Sequence, residues 1–362
     1  MAAMSGLVAL ATTASLIALT GCGSQTAKTA ALHPASASTS SPRGSGSGSV
    51  SVSGSGDRDR VSSASESAEE TQSGITGGAL FGGNYPLVSE EANLGRTLAI
   101  VRLYFFIGDT FPAQRYAKLM KGGRTVLVSL DSNGASYASI AAGDEDTAIT
   151  AFLESVNQAA VQYNLGAIYF SFEHEPDNDA HRPLGSPAQF IQAWDHIHQL
   201  ATSAHLDWND GGRLHWVFIL IHTSYTNWRA SSFWPGPGEV DIVAADGYDS
   251  SGCGSAHQTG APDTVTPDSL FDPLISFAAA NGGLPVFLSE WGSDNIPSGV
   301  QADFITQMQT YVADQPEIAA ALYWNTHVGN CDYQVNGDQA SISAMATMGQ
   351  SPALQGQLIP AG

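Results

Sequence analysis

Two glutamates stand just past apolar runs of the sequence. Glu175 follows the run that ends at Phe172, and Glu290 follows the run that ends at Ser289. Cleavage of a glycosidic bond needs two carboxyl groups, one to protonate the leaving oxygen and one to attack the sugar or activate water. The pair therefore predicts acid–base chemistry on a sugar. The alternative is that each glutamate caps a loop or pairs with a surface base.

The elements that would position these glutamates are eight short apolar runs. Enrichment in β-branched and aromatic residues is typical of buried strands. The runs are Gly78–Gly83, Leu98–Phe105, Thr125–Leu130, Ala167–Phe172, Leu214–Ile221, Val240–Ala245, Leu284–Ser289 and Ala319–Trp324. Helical periodicity lies between them, for example in Asp146–Tyr163, Pro187–Ala204, Pro267–Ala280 and Gly299–Asp314.

Eight strands alternating with helices predict an α/β fold, a (β/α)8 TIM barrel. The alternative is a doubly wound open sheet, but no glycine-rich phosphate loop follows the first strand. In a barrel, Glu175 and Glu290 would follow strands four and seven and face each other across the mouth. A separation of about 5–5.5 Å would suit a retaining mechanism, and the nearby like charge would raise the pKa of the acid.

Other polar and aromatic residues fall at the predicted strand ends. The candidate substrate-binding residues are His174, Tyr248, Trp324, Trp291, Arg102, Tyr104, His222, Trp234 and Asn325. Trp228, Phe233 and Trp234, in the loop after strand five, could stack on sugars or pack within the loop. His196 and His198 would point to different faces of a helix, so we expect no metal site there and no cofactor.

The sequence resembles glycoside hydrolase family 26 over about residues 78 to 348. The motifs that carry the resemblance are His174-Glu175, Trp234-Pro235-Gly236 before Val240-Asp241, Asp246-Gly247-Tyr248, Ser289-Glu290-Trp291-Gly292 and Trp324-Asn325. The resemblance implies a retaining enzyme with Glu175 as acid/base and Glu290 as nucleophile. It also implies that His174 binds sugar, that Tyr248 hydrogen-bonds the nucleophile, and that Trp324 lies under the scissile sugar.

The substrate expected from this resemblance is a β-mannan, cleaved by an endo-β-mannanase-like enzyme. Mannanases of the family usually carry Arg-Pro before the His-Glu pair, whereas Ser171-Phe172-Glu173 stand there in this chain. The alternatives are β-1,3-xylan and mixed-linkage β-glucan. A non-catalytic carbohydrate-binding lipoprotein is the rival class.

The net charge of the chain limits the kinds of molecule that it can bind. The formal net charge is −21, which argues against nucleic acid because a phosphate backbone requires a dense basic surface. An uncharged polysaccharide meets no such repulsion. We therefore expect a polysaccharide or oligosaccharide substrate and no nucleic acid. A monomeric protein is the default expectation.

The N-terminal sequence predicts export. Residues 7–19 form a short apolar run, and Leu19-Thr20-Gly21-Cys22 matches the bacterial lipobox, in which the cysteine is lipidated. No Lys or Arg precedes Cys22, unlike in most signal peptides. We predict a lipoprotein signal peptide over 1–22, a disordered Ser/Gly-rich tether over 23–73 and a catalytic domain over 74–362. The only membrane contact expected is the lipid anchor, on the outer side of the bacterial membrane.

The other two cysteines, Cys253 and Cys331, form an even pair in a chain expected to be exported. A disulfide is therefore the default expectation. On the predicted barrel these residues lie in the loops after strands six and eight and flank strand seven. A disulfide there would brace the loops around Glu290.

Overall fold

The computed structural model describes residues 73–253 and 265–360. The predicted signal peptide, the lipobox cysteine Cys22 and the tether up to residue 72 lie outside the described residues. Within the described ranges, no helix has the length and apolar character needed to cross a membrane.

Eight parallel strands close into a barrel in sequence order, which confirms the predicted (β/α)8 fold. The strands are β1 (Leu80–Asn84), β2 (Ile100–Phe106), β3 (Thr125–Asp131), β4 (Ile168–Phe172), β5 (Leu214–Ile221), β6 (Ile242–Asp249), β7 (Val286–Ser293) and β8 (Ile318–Tyr323). Closure pairs β1 with β8, so this sheet has no exposed edge.

Helices surround the barrel. They are α1 (Glu91–Leu94), α2 (Ala113–Met120), α3 (Tyr137–Ala141), α4 (Asp146–Gln162), α5 (Pro187–Ser203), α6 (His222–Thr226), α7 (Ala230–Phe233), α8 (Pro267–Ala280), α9 (Val300–Asp314) and α10 (Gln339–Gly349). Helix α5 begins with a capping box in which Ser186 and Gln189 satisfy each other's backbone N–H groups. The Ser186-Pro187 start predicted from the sequence is therefore present.

The core has two layers because strand side chains alternate between the two faces of the barrel wall. One set fills the barrel interior and includes Leu80, Leu127, Tyr169 and Phe287. The larger set lies between the wall and the helices. The strands thus bury both faces, which explains why they appear in the sequence as nearly continuous apolar runs.

Two strands extend further than the sequence predicts. Strand β6 continues through Asp246 to Asp249, and β7 continues through Glu290 to Ser293. The prediction ended both strands where polar residues begin. In the structure these polar residues stay in the ladder, and the register shifts between Ala245 and Asp246 and again between Leu288 and Trp291.

The two ends of the described chain meet at the base of the barrel. Ile75–Thr76 pairs antiparallel with Gln357–Leu358. Ile75 belongs to the interior core, and the carbonyl of Ser73 accepts a hydrogen bond of 2.8 Å from the hydroxyl of Tyr169. This closure lies at the pole opposite to the carboxyl ends of the strands.

A short hairpin and a disulfide lie at the other pole. His327–Val328 pairs with Cys331–Asp332 after β8. Cys331 is joined to Cys253, with a Cα–Cα distance of 5.0 Å and a sequence separation of 78. The cross-link connects the loop after β6 to the loop after β8, on either side of β7.

Candidate active site

Glu290 lies in β7 at the barrel mouth, 6% exposed and held from three directions. The hydroxyl of Tyr104 donates to Oε1, and the hydroxyl of Tyr248 donates to Oε2. The Arg102 Nε lies 3.6 Å from Oε1 in an ion pair. Each carboxylate oxygen thus has its own phenol donor, and the position of the side chain is fixed.

Burial raises the pKa of Glu290 to about 7, and the positive charge of Arg102 opposes that rise. Arg102 is itself fully buried and lies over the ring of Tyr104, with its central carbon 4.6 Å from the ring centre. A buried cation beside a carboxylate favours the ionised form. Arg102 therefore helps to keep Glu290 available as an anion in a water-poor position.

Glu175 lies beyond the end of β4, where the backbone is irregular. Glu173 and Glu175 both have left-handed φ angles, +47° and +53°, which are uncommon for residues other than glycine. The N–H of Glu175 donates to the carbonyl of Ile219 in β5 at 3.1 Å. The side-chain amide of Asn178 donates to the Glu175 carboxylate at 3.0 Å. These bonds hold the Glu175 carboxyl group on the loop.

Asp246 and Tyr248, both in β6, connect the surroundings of the two glutamates. Burial raises the pKa of Glu175, and the charge of Asp246 raises it further. Tyr248, the partner of Glu290, is also surrounded by acids: burial raises its pKa, and Asp246 and Glu175 add to the rise. The hydroxyl that contacts Glu290 is therefore within electrostatic reach of Glu175.

Asp246 is the residue that the sequence analysis missed, although it stands in a quoted motif. It is fully buried and accepts a hydrogen bond of 2.6 Å from the Ser289 hydroxyl. Its other oxygen, Oδ2, makes no hydrogen bond to any described residue. Burial raises its pKa, while Arg102 and His174 lower it. A buried aspartate at the end of an apolar strand was the available signal.

His174 and Trp324 both contact Tyr104, the residue that donates a hydrogen bond to Glu290. The rings of Tyr104 and His174 are 5.1 Å apart, and those of Tyr104 and Trp324 are 5.7 Å apart, edge to face. His174 Nδ1 lies 3.2 Å from the Asp131 carboxylate. Burial lowers the pKa of His174, but Asp131 outweighs this effect and raises it to about 9, so the imidazole is positively charged at neutral pH.

The structure does not bring every predicted binding residue to the cleft. Trp291 is fully buried in the wall against Tyr323, with ring centres 4.8 Å apart, so the expectation of a sugar contact is wrong for this side chain. Its place in the strand puts it on the face opposite to Glu290. Asn325 is also buried; its side-chain oxygen accepts from the N–H of Val335, and it serves to position the loop after β8.

Of the predicted binding residues that follow β5, some pack inside the protein and one is exposed. His222 is half-buried at the start of α6, where burial lowers its pKa and a backbone hydrogen bond at Asp246 opposes this. Trp234 packs edge to face on Phe218 and Phe277, so it is a packing residue here rather than a surface platform. Trp228, by contrast, is exposed.

Neither histidine pair nor cysteine pair offers a ready metal site. His196 contacts Asp146, and His198 lies between Asp207 and Glu239 on the outside of the barrel. One group in the described part of the chain, Cys253 and Cys331 with Asp294, has the composition of a metal site. Both of its sulfur atoms are in the disulfide, so no thiolate is available as a ligand.

No protein-family model matches the sequence, and no curated protein matches it either. Solved structures do match the fold. A GH26 β-mannanase from Bacteroides ovatus aligns at 13% identity and a TM-score of 0.58, over 80% of this chain and 93% of that one. An endo-β-1,4-mannanase double mutant from Cellulomonas fimi aligns at 16% identity and 0.56, over 80% and 73%.

Two further matches have the same architecture. The catalytic domain of a GH26 endo-β-1,4-mannanase from Bacillus sp. JAMB-750 aligns at 14% identity and a TM-score of 0.55, over 80% of this chain and 90% of that one. A broad-specificity GH5 endoglucanase aligns at 11% identity and 0.53, over 73% and 84%. The chain therefore has a GH26-like (β/α)8 barrel, and at these identities the likeness defines the fold.

Proposed function

We propose that the protein is a retaining glycoside hydrolase with Glu290 as nucleophile and Glu175 as acid/base. The observation that carries the proposal is the environment of Glu290. A carboxylate held by two phenols and one buried arginine is fixed for attack on a carbon atom. These partners hold the carboxylate in one orientation at the carboxyl ends of the strands, where barrel enzymes carry their catalytic groups.

The mechanism follows from the two environments. Glu290 attacks the anomeric carbon while Glu175 gives its proton to the leaving oxygen, and a covalent glycosyl-enzyme forms. Glu175, now ionised, takes a proton from water, which attacks the same carbon and releases Glu290. The burial of Glu175 and the nearby Asp246 favour its protonated form before the first step. Arg102 favours the ionised form of Glu290.

For the substrate we propose a β-linked polysaccharide, with β-mannan first. Structural neighbours named as β-mannanases support this order, and so does the resemblance in motif around Glu175 and Glu290. β-1,3-Xylan and mixed-linkage β-glucan are the alternatives, because Ser171-Phe172-Glu173 replace the usual mannanase residues before His174. The negative charge of the chain is compatible with any of these neutral polymers.

The test is reducing-sugar release by the full-length chain from β-mannan, β-1,3-xylan, β-1,4-xylan and mixed-linkage glucan. We expect one polymer to be cleaved, and Glu290→Ala to reduce the rate by at least about a thousandfold. Glu239→Ala is the matched control, since Glu239 is an acidic residue on the outside of the barrel. Activity that survives in Glu290→Ala would overturn the assigned nucleophile.

A carbohydrate-binding protein without turnover is the rival reading of the same cleft. It predicts retention by a polymer without product release, and no dependence of any rate on two ionising groups. Chemical rescue separates the two readings. Azide added to Glu290→Ala should form a glycosyl azide of inverted configuration from an activated aryl glycoside, and a binding protein would form none.

We also propose that the protein is exported and anchored by a lipid on Cys22. The lipobox sequence around this residue supports the proposal. Cys22→Ser should move the protein from the membrane fraction to the soluble exported fraction. Cys253→Ser is the matched control, because this cysteine lies in the barrel disulfide. Retention of Cys22→Ser in the membrane would contradict lipid anchoring.

A further inference from the structure

The large hydrophobic side chains exposed on the described surface are concentrated on one face. They are Tyr85, Phe106, Val161, Trp228 and Ile296. Four of them follow or end a barrel strand at its carboxyl end, and Val161 alone lies elsewhere, on α4. Single exposed hydrophobic residues are ordinary, so what matters here is where these residues lie relative to Glu175 and Glu290.

Two of these residues, Tyr85 and Trp228, stand at opposite points of the barrel rim. Tyr85 follows β1, and Trp228 lies in the loop after β5. In the closed order of eight strands, β1 and β5 are diametrically opposed. A line between them leaves β4 with Glu175 on one side and β7 with Glu290 on the other. A chain laid from Tyr85 to Trp228 would pass between the two glutamates.

Trp228 is 84% exposed, and its neighbours in sequence hold the backbone on either side of it. Its backbone has a left-handed φ of +65°, which is unusual for an aromatic residue. The preceding Asn227 accepts a hydrogen bond from the N–H of Arg229, and the Arg229 guanidinium donates to the carbonyl of Asp177 at 3.0 Å. Asp177 lies two residues after Glu175, so Arg229 ties the segment that carries Trp228 to the loop of the proposed acid.

Tyr85 is 46% exposed and is held in a similar way on the opposite side. Its ring meets the edge of Tyr116 at 5.9 Å. The preceding Asn84 accepts from the N–H of Asn325 and donates to the Thr326 hydroxyl, in the loop after β8. Each aromatic ring is thus adjacent to a residue bonded into a loop that borders the proposed site.

We propose that Tyr85 and Trp228 are sugar-stacking platforms at the two outer ends of the cleft. The cleft then holds several consecutive units of a β-glycan, with Glu175 and Glu290 cutting in its interior. Aromatic faces pair with the C–H faces of pyranose rings, and a cleft open at both ends accepts a polymer without requiring its terminus. The inference rests on the proposed function, and it adds the residues that bind the outer sugars of the chain.

The first experiment measures binding without turnover, in full-length Glu290→Ala protein. Affinity electrophoresis in gels containing β-mannan, β-1,3-xylan, β-1,4-xylan or mixed-linkage glucan gives a dissociation constant for each polymer. Adding Trp228→Ala or Tyr85→Ala should weaken binding to the retained polymer about tenfold each. Val161→Ala removes an exposed hydrophobic side chain far from the mouth and should change nothing. Equal binding by all variants, or retention by no polymer, would overturn the proposal.

The second experiment follows cleavage by otherwise wild-type protein. On the polymer that it cleaves, the fall in viscosity should outpace the release of reducing ends, and kcat/KM should rise with oligosaccharide length from three to six units. Trp228→Ala and Tyr85→Ala should flatten that rise. If kcat/KM depends on oligosaccharide length in both variants as it does in the wild type, the proposed stacking platforms are wrong. The proposed hydrolase activity would be unaffected by that result. If binding depends on Trp228 but no polymer is cleaved, the sugar-stacking role of Trp228 stands and the proposed hydrolase activity is overturned.

Discussion

At the scale of single residues, charged neighbours shift the pKa values of the two proposed catalytic glutamates in opposite directions. Arg102 lowers the pKa of Glu290, whereas Asp246 raises the pKa of Glu175. A nucleophile must be ionised and an acid must be protonated at the same pH. The buried cation and the buried anion therefore act in the directions that the two roles require.

Arg102→Met tests the first of these effects. Loss of the cation should raise the pKa of Glu290 further above about 7 and move the acidic limb of the kcat/KM profile to higher pH. At pH 6 we expect kcat/KM to fall by about tenfold or more. Arg102→Lys, which keeps the charge, should leave the limb closer to its original position. An acidic limb that stays in place in Arg102→Met would contradict the electrostatic role.

Asp246→Asn tests the second effect on the other limb. Without the charge of Asp246, the pKa of Glu175 should fall, and the alkaline limb of kcat/KM should move to lower pH. Ser289→Ala removes the hydrogen bond to Asp246 but retains the carboxylate, and it serves as the control. An alkaline limb that stays in place in Asp246→Asn would contradict the role of the Asp246 charge.

At the scale of elements, the sequence predicts the strands well and their ends poorly. Alternation of apolar runs with helical segments is enough to predict eight strands, because a parallel strand buried on both faces must be apolar throughout. The same rule ends β6 before Asp246 and β7 before Glu290, whereas the ladder includes both residues. At the mouth, polar side chains find partners across the barrel, which a single strand's sequence does not reveal.

The loop after β4 shows the same limit. Pro176 predicts that the strand ends, but nothing in the sequence predicts left-handed backbone at Glu173 and Glu175. Glu173 is held there because its carboxylate accepts the Ser132 N–H at 2.7 Å from the neighbouring loop. Positions such as Glu175, Glu290, Arg102 and Tyr104 were predictable as strand-end residues. The ion pair of Arg102 with Glu290 and the influence of Asp246 on Glu175 depend on contacts between strands, which the sequence does not reveal.

The disulfide joins two loops of the barrel, and its contribution to the free energy of unfolding can be measured. Cys253 and Cys331 close a loop of 78 residues, so replacing both by serine should lower the free energy of unfolding by about 2–4 kcal/mol. Urea unfolding of the double variant measures this. Reductant should destabilise the wild type similarly and leave the variant unchanged. Equal stability of the two proteins would mean that the cross-link contributes nothing to the fold.

At the scale of the whole molecule, the titration of buried acids predicts how stability depends on pH. Burial raises the folded-state pKa of Glu173 and Glu290 to about 7, and of Asp177 and Asp241 to about 6. A raised pKa means that the folded protein binds more protons than the unfolded chain. These groups therefore stabilise the fold below pH 4 and lose that contribution as the pH rises through 6 and 7.

We accordingly expect the free energy of unfolding to fall between pH 5 and pH 8. His174, whose pKa Asp131 raises to about 9, acts in the same direction, whereas the lowered pKa of His222 opposes it. Urea midpoints at pH 5, 6.5 and 8 would measure the slope. Glu173→Gln removes one buried acid and should flatten it. Stability that increases towards pH 8 would mean that these carboxyl groups are ionised at little cost.

The pairing of Ile75–Thr76 with Gln357–Leu358 has a consequence for the orientation of the molecule. Both ends of the described chain leave the barrel at its base, side by side, whereas both glutamates open at the far pole. Whatever is joined directly at residue 73 or residue 360 is therefore attached at the pole opposite to Glu175 and Glu290. A fragment of residues 73–360 fixed to a bead through either end would present the barrel mouth to a polymer in solution.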